Sequence, residues 1–313
     1  MLHVETIADM RAACDEARAR GRRVGLVPTM GYLHEGHRSL MRAAREACDF
    51  VVVTIFVNPL QFGAGEDLDR YPRDLHGDLA QCEQAGVDAV FAPSLAEMYP
   101  SGPPLTTVHV DGLSTGMCGA ARPTHFDGVG TVVTKLFAIA APCSAFFGRK
   151  DAQQLAVIAR LVEDLNLAVE VVGCPIVREP DGLARSSRNA YLTPEQRRAA
   201  LVLSRALEAA ADAAVLGERD ARVLVDVIRG LVSNESEVAL EYVEVCAAHD
   251  LVPVELLDGD VLVALAARVG STRLIDNVTL SVRGVEVHAD LGHRVVHDAD
   301  PAELGFAKPG SQM

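Results

Sequence analysis

Two rhythms alternate along the first half of the chain. Short continuous apolar runs, rich in β-branched residues, stand at 24–27, 50–56, 87–93, 144–147 and 169–172. Such runs predict strands buried on both faces of a parallel sheet. Between them apolar residues recur at helical spacing. In 6–20, Ile7, Met10, Ala13, Cys14 and Ala17 share one side, and after His37 the same holds for Leu40, Met41, Ala44 and Cys48. Further helices are predicted over 75–85, 132–140 and from about 151 to 165. Strand and helix exchanging through short connections predict an α/β fold with a doubly wound, Rossmann-like sheet.

Near residue 179 the rhythm changes. Thr193-Pro194-Glu195-Gln196 reads as a capping box with proline at the first helical position, opening a long Ala/Leu helix. A second helix over 220–232 and strands over 241–246, 261–267 and 273–280 complete a smaller α+β domain. The expected organisation is therefore 1–179, 180–280, and a loosely ordered tail over 281–313 where the chain turns polar. Residues 101–117, rich in Pro, Gly and Thr, read as a loop or short β excursion.

Composition narrows the function. With 49% hydrophobic residues, 4% aromatics and no tryptophan, the core must be built from Ala, Val and Leu. Lys and Arg total 29 against 43 Asp and Glu, a net charge of −14. That balance opposes nucleic-acid and anionic-membrane partners, so any anionic substrate needs a local cationic pocket. Seven scattered cysteines without a CxxC spacing read as reduced, buried thiols of a cytoplasmic protein. The N-terminal residues carry no signal-peptide pattern, and no apolar run reaches bilayer-spanning length.

The candidate chemistry gathers at strand ends and in loops. Residues 24–40, VGLVPTMGYLHEGHRSL, read as strand, glycine-bearing turn and helix N-terminus. That arrangement offers free N–H groups and a positive dipole end to an anion. His34 and His37 can face one ligand from it, and Gly36, lacking a Cβ, leaves room for a base or sugar on the backbone. On spacing alone, a polar helix start with solvated rings stands level with this reading. Asn58 and Gln61 follow the 50–56 strand, at the edge where open α/β sheets bind ligands. Arg122 with His125, Lys150 and Asp151 with Gln154, and Ser186-Ser187-Arg188 complete the set. Taken singly, Gln61 reads first as a solvated loop amide and Asp78 with Gln81 as a solvated helix face, while His125 reads equally as a capping imidazole.

The wording of these segments is more specific than their chemistry. PTMGYLHEGH, FVNPLQFG, RPTHFDGV, FFGRKDAQQL, SSRN and TRLIDN, in this order over residues 1 to about 280, resemble the pantothenate synthetase (pantoate–β-alanine ligase) family of the HxGH nucleotidyltransferases. The resemblance implies a cytoplasmic, homodimeric, two-domain ligase. It would adenylate (R)-pantoate with ATP and Mg²⁺, release pyrophosphate, and pass the acyl group to β-alanine. It assigns ATP contacts to Pro28, Thr29, Met30, Gly31, His34, Gly36, His37, Gly148, Arg149, Lys150, Asp151, Val177, Arg185, Ser186, Ser187 and Arg188. His34, His37, Lys150, Ser186, Ser187 and Arg188 would stabilise the charge that develops on the phosphates. Pantoate and β-alanine would meet Asn58, Gln61, Arg122, His125 and Gln154, and a metal Asp78 and Gln81. Three positions depart from the family's usual residues: Gly77 stands for an acidic residue, Arg149 for a glutamate and Arg185 for a methionine. The two arginines add positive charge beside the expected nucleotide site. They leave open a related amide ligase acting on another hydroxy acid or amine; a non-catalytic nucleotide-binding relative is the remaining alternative.

Overall fold

The structure is a computed structural model that describes residues 1–63 and 65–295. The described chain divides into two compact units, one of Met1–Gly148 with Val157–Cys174, the other of Arg149–Ala156 with residues 175–295. The division thus falls at residue 174 rather than near 179, and the Lys150 segment goes with the second unit.

The first unit holds β1 (Leu2–Val4), α1 (Ile7–Ala19), β2 (Val24–Thr29), α2 (Glu35–Ala47), β3 (Phe50–Ile55), α3 (Leu75–Gln84), β4 (Ala89–Phe91), α4 (Leu95–Met98), α5 (Met117–Ala121), α6 (His125–Ala140), β5 (Cys143–Gly148) and β6 (Val169–Cys174); of α7 (Ala152–Asp164), between the last two strands, it holds the part from Val157. Its sheet runs β1-β4-β3-β2-β5-β6, every pair parallel. The expected doubly wound sheet is present. The chain winds from β2 through β3 to β4 on one side, then crosses to β5 and β6 on the other. The switch point lies at β2 and β5, whose carboxyl ends carry the candidate residues. Val27, Val51, Val53, Val90 and Phe146 are buried with Met41, Ala44 and Cys82 of the flanking helices. Each Val, Phe or Met side chain among them contributes about 1.5–3 kcal/mol by leaving water.

Four elements of this unit differ from the sequence reading, two of them the short helices α4 and α5, which stand where no helix is expected. β1 has three residues, too few for a pattern, and forms the sheet edge on β4. α6 begins at His125, not near 132, because Gly128 and Gly130 are inside the helix rather than before it.

The second unit contains β7 (Val177–Arg178), α8 (Pro194–Val215), α9 (Ala221–Val232), β8 (Val238–Ala247), β9 (Gly259–Val269), β10 (Thr272–Arg283), β11 (Glu286–Asp290) and β12 (His293–Arg294). An antiparallel sheet ordered β11-β10-β9-β8 packs on α8 and α9. The expected capping box is formed: Gln196 N donates to Thr193 Oγ1 at 3.2 Å and Thr193 N to Gln196 Oε1 at 3.1 Å. Ala199, Ala206 and Ala210 of α8 are buried with Val263 and Leu265 of β9, the small side chains letting helix and sheet approach.

The loosely ordered tail expected from residue 281 is corrected as far as the structure describes it. β10 continues to Arg283, β11 pairs antiparallel with it, and β12 pairs parallel with β7. The hairpin turns at Gly284, which takes the left-handed φ of +62°. Residues 296–313 lie outside the described residues. All seven cysteines are buried, and among the described residues no helix is long and apolar enough to cross a membrane.

Candidate active site

The turn after β2 is built from its own backbone groups. Thr29 Oγ1 donates to Thr54 O at 2.7 Å and accepts from Gly31 N at 3.1 Å. Gly31 and Tyr32 then take left-handed φ values of +81° and +51°. Asp78 of α3 holds the strained loop, its Oδ2 accepting from Tyr32 N at 2.8 Å and its Oδ1 from Leu33 N at 2.7 Å. A Cβ on Gly31 would stand 2.8 Å from Asp78 Oδ2, so glycine is required by space as well as by φ. Burial pushes the Asp78 carboxyl above its ordinary range, and the two N–H bonds pull part of that back. Gln81 Nε2 donates to Leu33 O at 3.1 Å.

Asp78 and Gln81, expected to meet a metal, are engaged with the backbone of this loop. Asp78 is 2% exposed with both oxygens on backbone N–H groups, and Gly77 offers no second carboxylate. Among the described residues no group of three His, Cys, Asp or Glu can hold a metal ion.

The braced turn delivers His34 as the N-cap of α2 and His37 in its first turn. His34 N donates to His37 Nδ1 at 3.2 Å, which leaves Nε2 as the proton-bearing nitrogen of the neutral His37 ring. The two rings lie 4.1 Å apart, tilted by 31°. A Cβ on Gly36 would come 2.9 Å from His34 Cε1. A side chain at position 36 would therefore have to displace the His34 ring.

Asn58 and Gln61 sit in the turn after β3, 1% and 8% exposed. Asn58 Nδ2 donates to Gly128 O at 3.0 Å and Gln61 Oε1 at 3.2 Å. Its Oδ1 accepts from Tyr99 Oη at 2.9 Å and Leu60 N at 3.4 Å. Burial pushes the Tyr99 hydroxyl up to about 12, so it stays a donor. Gln61 Nε2 reaches Met30 Sδ at 2.9 Å, tying this turn to the one after β2.

Arg122 and His125 close on the same turn. His125 Nδ1 donates to Gln61 O at 2.8 Å, and Nε2 accepts from Arg122 Nη1 at 3.1 Å, so the ring is neutral with its proton on Nδ1. Arg122 forks onto Glu66, Nε to Oε1 at 2.6 Å and Nη2 to Oε2 at 2.5 Å, and Nη2 also reaches Gln61 O at 3.0 Å. Burial opposes the Glu66 charge, but the Arg122 guanidinium outweighs it and holds the carboxyl below its ordinary range. Glu66 and Tyr99 are site residues the sequence reading did not find. Each is polar and distant in sequence from its partner, and neither stands in a recognisable motif.

The second unit carries the remaining candidates. Lys150 Nζ stands 3.8 Å from Asp151 Oδ1, a loose pairing. Arg149 is paired with Asp290 of β11 at 2.9 Å and Arg185 with Glu179 at 3.1 Å. Each of these two arginines thus stands beside a carboxylate, Glu179 being shared with Arg197. Arg185 N donates to Val177 O at 2.8 Å, laying the 182–188 loop along β7. Ser186 caps the turn that follows, its Oγ accepting from Arg188 N at 3.3 Å. Gln154 is half-buried near the start of α7.

A His-x-Gly-His turn capping a helix at the switch point of a parallel sheet defines an HxGH-type nucleotidyltransferase. Within that class the chain belongs to the pantoate-beta-alanine ligase family, whose model matches residues 2–279. It is 58% identical over 279 residues to the pantothenate synthetase of Heliobacterium modesticaldum, spanning 89% of this chain and 99% of that protein. The crystal structure of pantothenate synthetase from Thermus thermophilus superposes with a TM-score of 0.84 at 47% identity, over 88% of this chain and 98% of that one. Pantoate-beta-alanine ligase from Francisella tularensis, complexed with beta-gamma ATP and beta-alanine, gives a TM-score of 0.71 at 32% identity, over 88% and 97%.

Proposed function

We propose that this chain condenses (R)-pantoate with β-alanine at the expense of ATP. In the first step a pantoate carboxylate oxygen attacks the α-phosphorus, the bond to the bridging oxygen breaks, and pyrophosphate leaves with the electron pair. In the second the β-alanine nitrogen attacks the acyl carbon, the C–O bond to AMP breaks, and the nitrogen gives up a proton to leave pantothenate. The observation that carries the reading is the locked His34/His37 pair. With Nδ1 held by a backbone N–H, His37 presents an Nε2–H donor at a helix N-terminus, the equipment a developing phosphate charge requires.

The other roles follow from chemistry. Lys150 serves as a point charge for the phosphates, and Arg188, Ser186 and Ser187 as fork and hydroxyl donors. Arg149, Asp151, Val177 and Arg185 are nucleotide contacts of the second unit, and Pro28, Thr29, Met30 and Gly31 those of the first. Gln61, Asn58 and Gln154 hold pantoate; a substrate hydroxyl donating to Asn58 Oδ1 displaces the Leu60 contact, the longest of the four made by that amide. Arg122 and His125 serve the β-alanine carboxylate, for which Glu66 must yield the Arg122 fork. Mg²⁺ belongs to the reaction as a partner of the ATP phosphates. The beta-gamma ATP and beta-alanine of the Francisella complex support those two substrates. Homodimer formation and a cytoplasmic setting are part of the same proposal, as the sequence resemblance implies.

Arg149 and Arg185 no longer favour a different acid, because their charges are met within the protein. The test is pyrophosphate–ATP exchange with pantoate against a panel of small hydroxy acids, followed by β-alanine addition. Exchange that requires pantoate and then yields pantothenate and AMP is expected. Exchange with another acid alone, or none, refutes the reading. His37→Ala should lower the exchange rate at least about a hundredfold with little change in ATP affinity.

A further inference from the structure

The TRLIDN stretch, residues 272–277, supplies no group to the chemistry above, yet it holds the most buried polar network of the second unit. Asn277 is 3% exposed and commits both hydrogens of its amide to successive carbonyls, Arg149 O at 3.0 Å and Lys150 O at 2.8 Å. Two donors on one rigid amide fix the orientation of both peptide planes, and with them the root of the Lys150 side chain.

Asn277 is itself held. Its backbone N–H donates to Asp276 Oδ1 at 2.8 Å, and Asp276 is forked by Arg178, Nη1 to Oδ2 at 2.7 Å and Nη2 to Oδ1 at 3.0 Å. Arg178 also donates to Gly182 O at 3.2 Å, to Asn277 O at 3.4 Å and, through Nε, to Leu291 O. Asp276 and Arg178 are 3% and 4% exposed. A buried ion pair is weak evidence of stabilisation, because desolvation offsets the attraction, but it defines registry. Here it sets the register of three segments, 149–150, 177–178 and the 182–185 loop.

We infer that Asn277 is a positioning residue for Lys150, and that the Arg178–Asp276 pair holds Asn277 in place to do so. The inference rests on the reading of Lys150 as the phosphate-binding cation. Preorganisation of this kind acts on the transition state, since a cation on a fixed root need not reorganise as charge develops.

The experiment is a double-mutant cycle on pantoate-dependent pyrophosphate exchange, with Asn277→Ala, Lys150→Ala and the double variant, each checked by thermal melt. Asn277→Ala is expected to lower the exchange kcat about tenfold or more with the pantoate KM within about twofold. In the Lys150→Ala background it should cost less than about a further twofold, because its effect passes through the lysine. An equal factor in both backgrounds would make Asn277 a general structural residue and overturn the inference. A Lys150→Ala variant that exchanges at the full rate would instead refute the role of Lys150. If Asn277→Ala does not fold, Asn277→Ser, which keeps one donor, carries the same cycle, and the same two results decide it.

Discussion

Arg122 and Glu66 show how a residue can be found for one role and seen in another. The sequence marked Arg122 as a substrate cation, and in the structure its fork is filled by a carboxylate from the same chain. The Glu66 carboxyl is held low, so its stabilising contribution is present above the ordinary glutamate range and lost as pH falls through the depressed value. Glu66→Gln should therefore narrow the stability difference from wild type as the solution is acidified. Partial exposure keeps the difference at pH 7 to about 0–1 kcal/mol, which denaturant melts at pH 7 and pH 3.5 would read; a gap that widens at low pH refutes the pairing. Asp78 gives a firmer case. It accepts two N–H bonds, and Asn can accept through one oxygen only, turning its amide NH₂ toward the other N–H. Asp78→Asn should lose about 1–3 kcal/mol of unfolding free energy and slow pyrophosphate exchange through the loosened turn. Stability equal to wild type would show that the loop does not depend on this brace. The placement of His34, Asn58, Gln61 and Lys150 just past strand ends was legible in the sequence. Tyr99 and Glu66 were not, because a hydrogen bond across 41 or 56 residues is decided by packing and leaves no local pattern.

Long periodic elements were readable and short or glycine-bearing ones were not. β3 and α8 repeat their apolar pattern for long enough to be seen, whereas β1 has three residues and β12 two. The start of α6 was missed because glycine inside a helix costs about 1 kcal/mol relative to alanine and reads as a breaker. The structure shows why Gly128 is tolerated: a Cβ there would fall 2.2 Å from Leu60 O, so the helix can close on the Asn58 turn only without a side chain. Gly128 O is also the acceptor of Asn58 Nδ2. Gly128→Ala should gain helix propensity and yet destabilise by about 1–3 kcal/mol through overpacking, with a raised pantoate KM and an unchanged ATP KM. A variant that is more stable than wild type would mean the turn relaxes freely, and the geometry of the acid pocket would not rest on this contact.

At the scale of the whole molecule the question is how a chain of net charge −14 handles a polyanionic substrate. Composition implied a local cationic pocket, and the family resemblance implied that Arg149 and Arg185 deepen it. The structure instead meets each with a carboxylate, and the one facing Arg149 comes from β11, past residue 279 where the family match ends. The departure at 149 and the hairpin that follows β10 therefore belong together, a coupling invisible in a motif because it joins residues 141 positions apart. The pair is partly exposed, its side chains 44% and 28% accessible, so its worth is at most about 1 kcal/mol. That bound fixes the size of the effect. Asp290→Asn should free Arg149 for the nucleotide and lower the ATP KM by up to about fivefold, an effect that shrinks as salt is raised. Arg149→Ala should abolish the response to Asp290→Asn. If Asp290→Asn raises the ATP KM instead, Asp290 is needed to aim Arg149 rather than to restrain it, and the charge balance proposed for this part of the molecule is wrong.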